Sequence, residues 1–141
     1  MIEINGIAHI ILTVSNFELC VPFYEKMLPF LGMTQIFLED GYLYYVGGRT
    51  AIGIRRASPE YQKDHFIQSR IGLHHFCLRA RDKKQVDLFY EFLCTLNTKI
   101  IHPPEEGNWA PGYYSVLFED PDGIRIEMNY VPGKGLLELN N

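Results

Sequence analysis

The sequence predicts an α+β fold: tandem βαβββ modules forming a curled, cup-shaped mixed sheet with the helices outside. Two observations carry this. The chain repeats itself, because the shift that places His9 on His75 also places Leu12 on Leu78 and Phe23-Tyr24-Glu25 on Phe89-Tyr90-Glu91. Each copy also changes period in the same order, from strand-like alternation to a helical stripe and then to three short β-like runs. One such unit leaves a sheet face bare, whereas two can share a concave surface. The 141 residues then form one domain, 1–141, with a first module over about 4–57, a connector over 58–70 and a second module over about 71–132.

In the first module, residues 6–14 alternate and are rich in Ile, Leu, Val and Thr, which favours a strand. Asn16 can cap a helix running to about Leu31, with Gly32 ending it. Pro22 removes a backbone donor several residues into that helix, so a kink or a late start is expected there. Strands follow near 34–39, 42–47 and 50–56, separated by the turn pairs Asp40-Gly41 and Gly47-Gly48. The polar text that follows reads as connector. The second module opens on a strand over 72–80, caps its helix with Asp82, and continues through strands near 99–102, 113–119 and 124–130. The intervening PPEEGNWAPGYY is expected to be a loop too rich in Pro and Gly for regular structure.

Composition narrows the class. Hydrophobic residues at 47% and charged residues at 21% describe a globular chain, and a net charge of −4 offers no electrostatic footprint for nucleic acid. No apolar run approaches the roughly 18 residues of a membrane span, and MIEINGIAHII lacks a basic n-region, so a cytoplasmic setting is expected. Cys20, Cys77 and Cys94 lack close CxxC spacing and read as reduced thiols.

Strand parity then sorts the side chains. Ile10, Leu12 and Val14, Phe76 and Leu78, and Ile124, Ile126 and Met128 form the helix-facing sets. His9, Ile11 and Thr13, then His75, Cys77 and Arg79, then Arg125, Glu127 and Asn129 fall on the opposite face. Two imidazoles and a carboxylate, with positions left open, suit one catalytic divalent metal: iron, manganese, zinc, nickel or cobalt. His74 is the rival to His75, and the repeat places it opposite Ala8 on the helix-facing side. Arg55, Arg79 and Arg125 are candidate forks for an anionic substrate. Cys77 shares the face of His75 and is a candidate contact for metal or substrate, and Trp109, Tyr113 and Tyr114 flank the Pro/Gly loop as candidates for an apolar lid, with Tyr113 a candidate substrate contact. His65 and His102 read as surface residues in loops. No separate catalytic base is identified.

Four stretches carry a family resemblance: IAHIIL from Ile7, the helix text FYEKMLPFLGM, the strand GLHHFCL, and FEDPDGIRIE from Phe118 to Glu127. Together they resemble the vicinal oxygen chelate superfamily of glyoxalase I, bleomycin resistance proteins, fosfomycin resistance enzymes, methylmalonyl-CoA epimerase and extradiol dioxygenases. The resemblance implies metal ligation by His9, His75 and Glu127 and a small oxygen-chelating substrate bound at the ion, in lyase, isomerase or transferase chemistry. Two departures bear on function. Relatives with a fourth protein ligand carry it in the stretch matching TAIGIRRA, whose inward positions here are Gly53 and Arg55. Ring-cleaving members place a tyrosine about ten residues before the ligand Glu, where this chain has Leu117. The alternatives are a metal-free ligand-sequestering protein of the bleomycin resistance type and an extradiol-type dioxygenase. Nine Phe and nine Tyr, with open sheet edges, make a homodimer the expected assembly.

Overall fold

The computed structural model describes residues 1–140, with side chains through Glu138. Asn141, the last residue of the expected 1–141 span, lies outside the described residues. The chain divides into two compact units, Met1–His65 and Phe66 onward, so the boundary falls in the connector text. Each unit holds one α-helix, one four-stranded mixed sheet and a short 3-10 helix, Pro59–Tyr61 in the first and Gly135–Asn140 in the second.

The first unit contains β1 (His9–Val14), α1 (Phe17–Phe30), β2 (Thr34–Glu39), β3 (Tyr42–Gly47) and β4 (Thr50–Arg56), in sheet order β1-β4-β3-β2. β1 runs parallel to β4, and the other pairs are antiparallel. β1 starts at His9 rather than residue 6 because its partner begins at Thr50, so residues before Ala8 have nothing to pair with. The Asn16 side chain accepts from Leu19 N at 3.0 Å and starts α1 at Phe17. Pro22 therefore does not delay the helix; it lies inside it, as does Pro29. The C-terminus closes with Met33 N donating to Leu28 O and Gly32 N to Pro29 O, Gly32 taking φ +77°. Cys20, Phe23, Tyr24, Met27 and Leu28 are buried at helical spacing, as are Leu12, Val14, Ile52 and Ile54 of the sheet.

The connector holds a single 3-10 turn, Pro59–Tyr61. The second unit contains β5 (Phe76–Arg79), α2 (Lys83–Thr95), β6 (Lys99–Glu106), β7 (Tyr114–Glu119) and β8 (Arg125–Tyr130), in order β5-β8-β7-β6, with only β5 and β8 parallel. Asp82 accepts from Gln85 N at 2.9 Å, and the Gln85 side chain reaches back to Arg81 N at 3.1 Å, so both groups fix the start of α2.

Two expectations are corrected here. β5 is four residues long rather than the nine of 72–80, its ladder with β8 running from Phe76 opposite Ile126 to Arg79 opposite Asn129. His74 and His75 precede the strand, so parity alone does not fix them, although His75 still faces Glu127. β6 runs through Pro103 and Pro104 to Glu106, into text expected to be loop. It can do so as the edge strand, with register irregularities on both sides of His102, where missing donors cost the ladder nothing. His102 is therefore a half-buried strand residue, not a loop residue.

The DPDG turn between β7 and β8 is a hydrogen-bonded device. Asp120, 4% exposed, accepts through Oδ1 from Asp122 N at 2.9 Å and Ile124 N at 2.8 Å, and its own N–H donates to Ile124 O at 3.0 Å. Gly123 takes φ +87°, a conformation that disfavours a side chain. Asp120→Ala leaves two turn N–H groups without their carboxylate and should lower stability by about 3 kcal/mol. Asp120→Asn keeps the Oδ1 acceptor and should lose clearly less. Urea unfolding of the two variants checks this; equal losses would mean that the turn bonds are not the reason for the aspartate.

Candidate functional site

Residues of unlike chemistry gather on the face of the second sheet that α2 does not cover. β8 is an inner strand, and its register puts Glu127 beside Cys77 of β5 on one side and Leu117 of β7 on the other. Ile126 and Met128 are buried on the helix side, so Glu127 turns the other way, with its side chain 12% exposed. Tyr113, immediately before β7, donates its hydroxyl to Glu127 Oε1. His75 Nε2 stands 3.4 Å from Oε2, the other carboxylate oxygen. The carboxylate is held on one oxygen and faced by an imidazole on the other.

The electrostatics follow from this arrangement. Partial burial, and then the bond to Glu127, pushes the Tyr113 phenol up to about 12. The Cys77 thiol, although exposed at its surface, is also pushed up to about 12, first by crowding that removes water around the sulfur and second by the Glu127 charge. Both groups keep their protons at neutral pH. His74 is not helix-facing as parity implied. It is exposed, and its Nδ1 lies 2.7 Å from Nδ1 of His75 and 3.2 Å from Gln68 Nε2.

The other expected contacts divide. Arg79 ends β5 on the Cys77 face, opposite Asn129, with no acidic partner among the described residues. Arg125 is engaged: its Nε donates to Glu119 Oε1 at 3.0 Å, while Lys99 takes the other oxygen at 3.1 Å. Tyr114 is drawn to α2 rather than into a lid, donating to Asp87 at 2.6 Å, a bond that is the main reason its phenol rises to about 12. In the first unit His9 is exposed at the start of the edge strand β1, and the Arg55 guanidinium lies 4.5 Å over the Tyr42 ring.

One equivalence is informative. The repeat places Ile11 on Cys77, and the β4 partner of Ile11 is Gly53 just as the β8 partner of Cys77 is Glu127. Gly53 thus occupies in the first unit the position Glu127 holds in the second. A Cβ there would meet Ile11 Cδ1 at 2.6 Å and the rings of Tyr42 and Tyr44 at 3.1 Å, so a longer side chain would have to displace the Ile11 methyl and both rings. Phe37 stacks on Tyr44 at 5.4 Å and meets Tyr42 edge-on at 5.0 Å, filling that face with aromatic rings. Sequence reasoning passed over this cluster, although Phe37, Tyr42 and Tyr44 all sit in its expected strands. It also cast Tyr113 as a substrate contact and missed its bond to Glu127. Among the described residues, no group of three or more His, Cys, Asp or Glu side chains is gathered as a ready-made ion site.

The family model for the glyoxalase/bleomycin resistance protein/dioxygenase superfamily matches residues 6–128. The chain belongs to this superfamily. The uncharacterized protein YqjT of Bacillus subtilis (strain 168) is 29% identical over 124 residues, covering 85% of this chain and 94% of its own. The fold is that of a glyoxalase candidate from Bacillus halodurans, with a TM-score of 0.79 at 24% identity over 90% of this chain and 96% of that one. It is also that of lactoylglutathione lyase from Agrobacterium tumefaciens, with a TM-score of 0.65 at 22% identity over 89% and 93%. Among the described residues no helix is long and apolar enough to cross a membrane.

A thiol raised from 9 to about 12 holds roughly a thousandfold less thiolate at pH 8 than an unperturbed one. Cys77 should therefore be alkylated by iodoacetamide far more slowly than an unstructured cysteine peptide at that pH. Glu127→Gln removes the second cause and should speed the reaction. Site-resolved mass spectrometry reads both rates, and labelling of Cys77 at the peptide rate would contradict this electrostatic picture.

Proposed function

We propose that the chain is a metal-dependent enzyme acting on a small oxygen-rich substrate. His75 and Glu127 hold one divalent ion, of iron, manganese, zinc, nickel or cobalt, and His9, the repeat equivalent of His75, completes the ligand set. The observation that carries this reading is the 3.4 Å between His75 Nε2 and Glu127 Oε2. Two donors bound to one first-row ion at about 2.1 Å lie about 3.0–3.4 Å apart, depending on whether coordination is octahedral or tetrahedral. That separation is long for a hydrogen bond but suits a shared ion. An imidazole nitrogen and a carboxylate oxygen are also donors such ions accept.

When bound, the ion supplies Lewis-acid stabilisation to a substrate oxygen that becomes anionic. The protein's part is positioning. Tyr113, protonated at working pH, keeps Oε1 hydrogen-bonded and leaves Oε2 toward His75. His74 offers a ring nitrogen to His75 Nδ1, fixing the imidazole plane. Cys77 lies beside Glu127 in the β5–β8 ladder, its thiol pushed up to about 12 when no ion is bound. Leu117 beside Glu127 gives the site an apolar wall where a ring-cleaving relative carries a phenol. Gly53 supports a set without a fourth protein ligand, leaving positions for substrate and water. Lyase, isomerase or transferase chemistry fits these parts.

We also propose that the protein works as a cytoplasmic homodimer. β2 is an edge strand with Ile36 57% and Leu38 43% exposed, and apolar edges call for cover. Sedimentation equilibrium should give a mass about twice 16.3 kDa, and a single species at the chain mass would overturn the dimer.

Metal analysis of protein purified without chelator tests the main reading. Wild type should carry one ion per chain, and His9→Ala, His75→Ala and Glu127→Ala should each lose most of it while staying folded. Metal-free wild type that takes up none of these ions on addition would point instead to ligand sequestration. Loss in His74→Ala with retention in His75→Ala would reassign the histidine.

A further inference from the structure

Beside the Glu127 centre the second unit has an open cavity of about 540 Å³, between the loop that precedes β7 and the segment that follows β8. Its walls include Arg79, Trp109, Tyr113, Lys134, Leu136 and Leu137. We infer that this cavity binds a small organic carboxylate, its anionic end on Arg79 and Lys134 and its apolar body along Trp109 and the two leucines. The inference rests on reading the Glu127 centre as the reaction site, since Tyr113 is both a wall of the cavity and the hydrogen-bond donor to Glu127. It names the class of substrate that the centre receives.

Charge is the first argument. The chain carries a net charge of −4, yet the lining of this cavity includes two cations and no Asp or Glu among the described residues. Arg56, Arg125, Lys83 and Lys99 each have a carboxylate partner, whereas neither the Arg79 guanidinium nor the Lys134 ammonium has one among the described residues. Two unneutralised cations at one apolar concavity favour an anion, and a guanidinium fork matches a carboxylate in both shape and charge.

Apolar exposure is the second argument. Trp109 is 77% exposed, Leu137 69% and Leu136 56%, three large apolar side chains around one opening. A ligand body lying on them would remove that surface from water. The volume is also of the size small-molecule sites use, about 300–1,000 Å³.

The third argument is that the walls are built. Gly112, at φ +71°, packs so closely on Pro132 that a Cβ would stand 2.7 Å from its Cγ, which joins the loop to the segment after β8. Gly133, at φ +61°, lies directly under the Glu138 carboxylate, which accepts from Lys134 N at 2.9 Å and fixes the backbone carrying that cation. Gly107 N donates to Tyr113 O at 3.0 Å and closes the loop on itself.

Trp109 is the only tryptophan in the chain, so its fluorescence reports on the cavity directly. The test titrates 4-phenylbutanoate and its uncharged analogue 4-phenylbutanamide into EDTA-treated protein. The carboxylate should change Trp109 emission saturably and bind at least about tenfold more tightly than the amide. Arg79→Gln should remove most of that preference, and Arg79→Lys should retain part of it. Lys84→Gln, which removes an exposed cation of α2 outside the cavity lining, should leave it intact. Absence of a saturable change, equal affinity for the two probes, or a preference kept in Arg79→Gln or lost equally in Lys84→Gln would overturn the inference. A failure of metal binding at His75 and Glu127, read by metal analysis, leaves this titration unaffected, so the two readings fail separately.

Discussion

The chemistry of the second unit depends on where β8 begins. The buried Asp120 carboxylate gathers the N–H groups of Asp122 and Ile124, so the chain leaves the turn in one conformation and Arg125 enters the sheet in one register. From that register follow Cys77 opposite Glu127 and Arg79 opposite Asn129. A slip by one residue would send Glu127 toward α2 and Ile126 into the polar face, burying a carboxylate against Phe89 and Leu93. The DPDG text is thus a marker with a mechanism: it sets the strand that carries the acid.

The repeat duplicated a scaffold without duplicating a site. Both units pair their first strand parallel to their last, and both cap their helix with a short polar side chain, Asn16 or Asp82. Yet the position that holds Glu127 in one unit holds Gly53 in the other, where Ile11, Tyr42 and Tyr44 fill the space. One sheet face became aromatic, with Arg55 laid over Tyr42, and the other became ionisable, with Tyr113 and His75 on a carboxylate. Neither face follows from the fold alone, so the superfamily assignment leaves substrate and reaction to be argued from side chains.

Most of the architecture was legible because local signals and partners agreed. The runs 34–39, 42–47 and 50–56 are bounded by turns, and the strands match those bounds. Parity assigned β1 and β8 correctly because each is fully paired over its length. It failed for His74 because nothing in GLHHFCL reveals that β5 starts only at Phe76, whereas His75 still stands 3.4 Å from Glu127, on the side parity gave it. Pro103 and Pro104 argued for a loop because edge position, which makes proline tolerable, is a property of the assembled sheet. Pro22 sits inside α1 for a similar reason: the buried stripe from Cys20 to Leu28 outweighs one missing donor. The candidate ligands were readable from residue type and repeat position. The hold of Tyr113 on Glu127 was not, since it joins side chains from different elements across a hairpin.

In the proposed ion site, the position of the Glu127 carboxylate, not its charge alone, is what would hold the ion. Calorimetric titration of cobalt(II) into metal-stripped wild type and Glu127→Asp tests this most directly, because the variant keeps the charge and withdraws the carboxylate by about one methylene from His75 and Tyr113. Affinity should fall by at least about tenfold, in the range found when groups that orient a metal ligand are disturbed. Equal affinity in the two proteins would contradict the account, since any nearby negative charge would then serve.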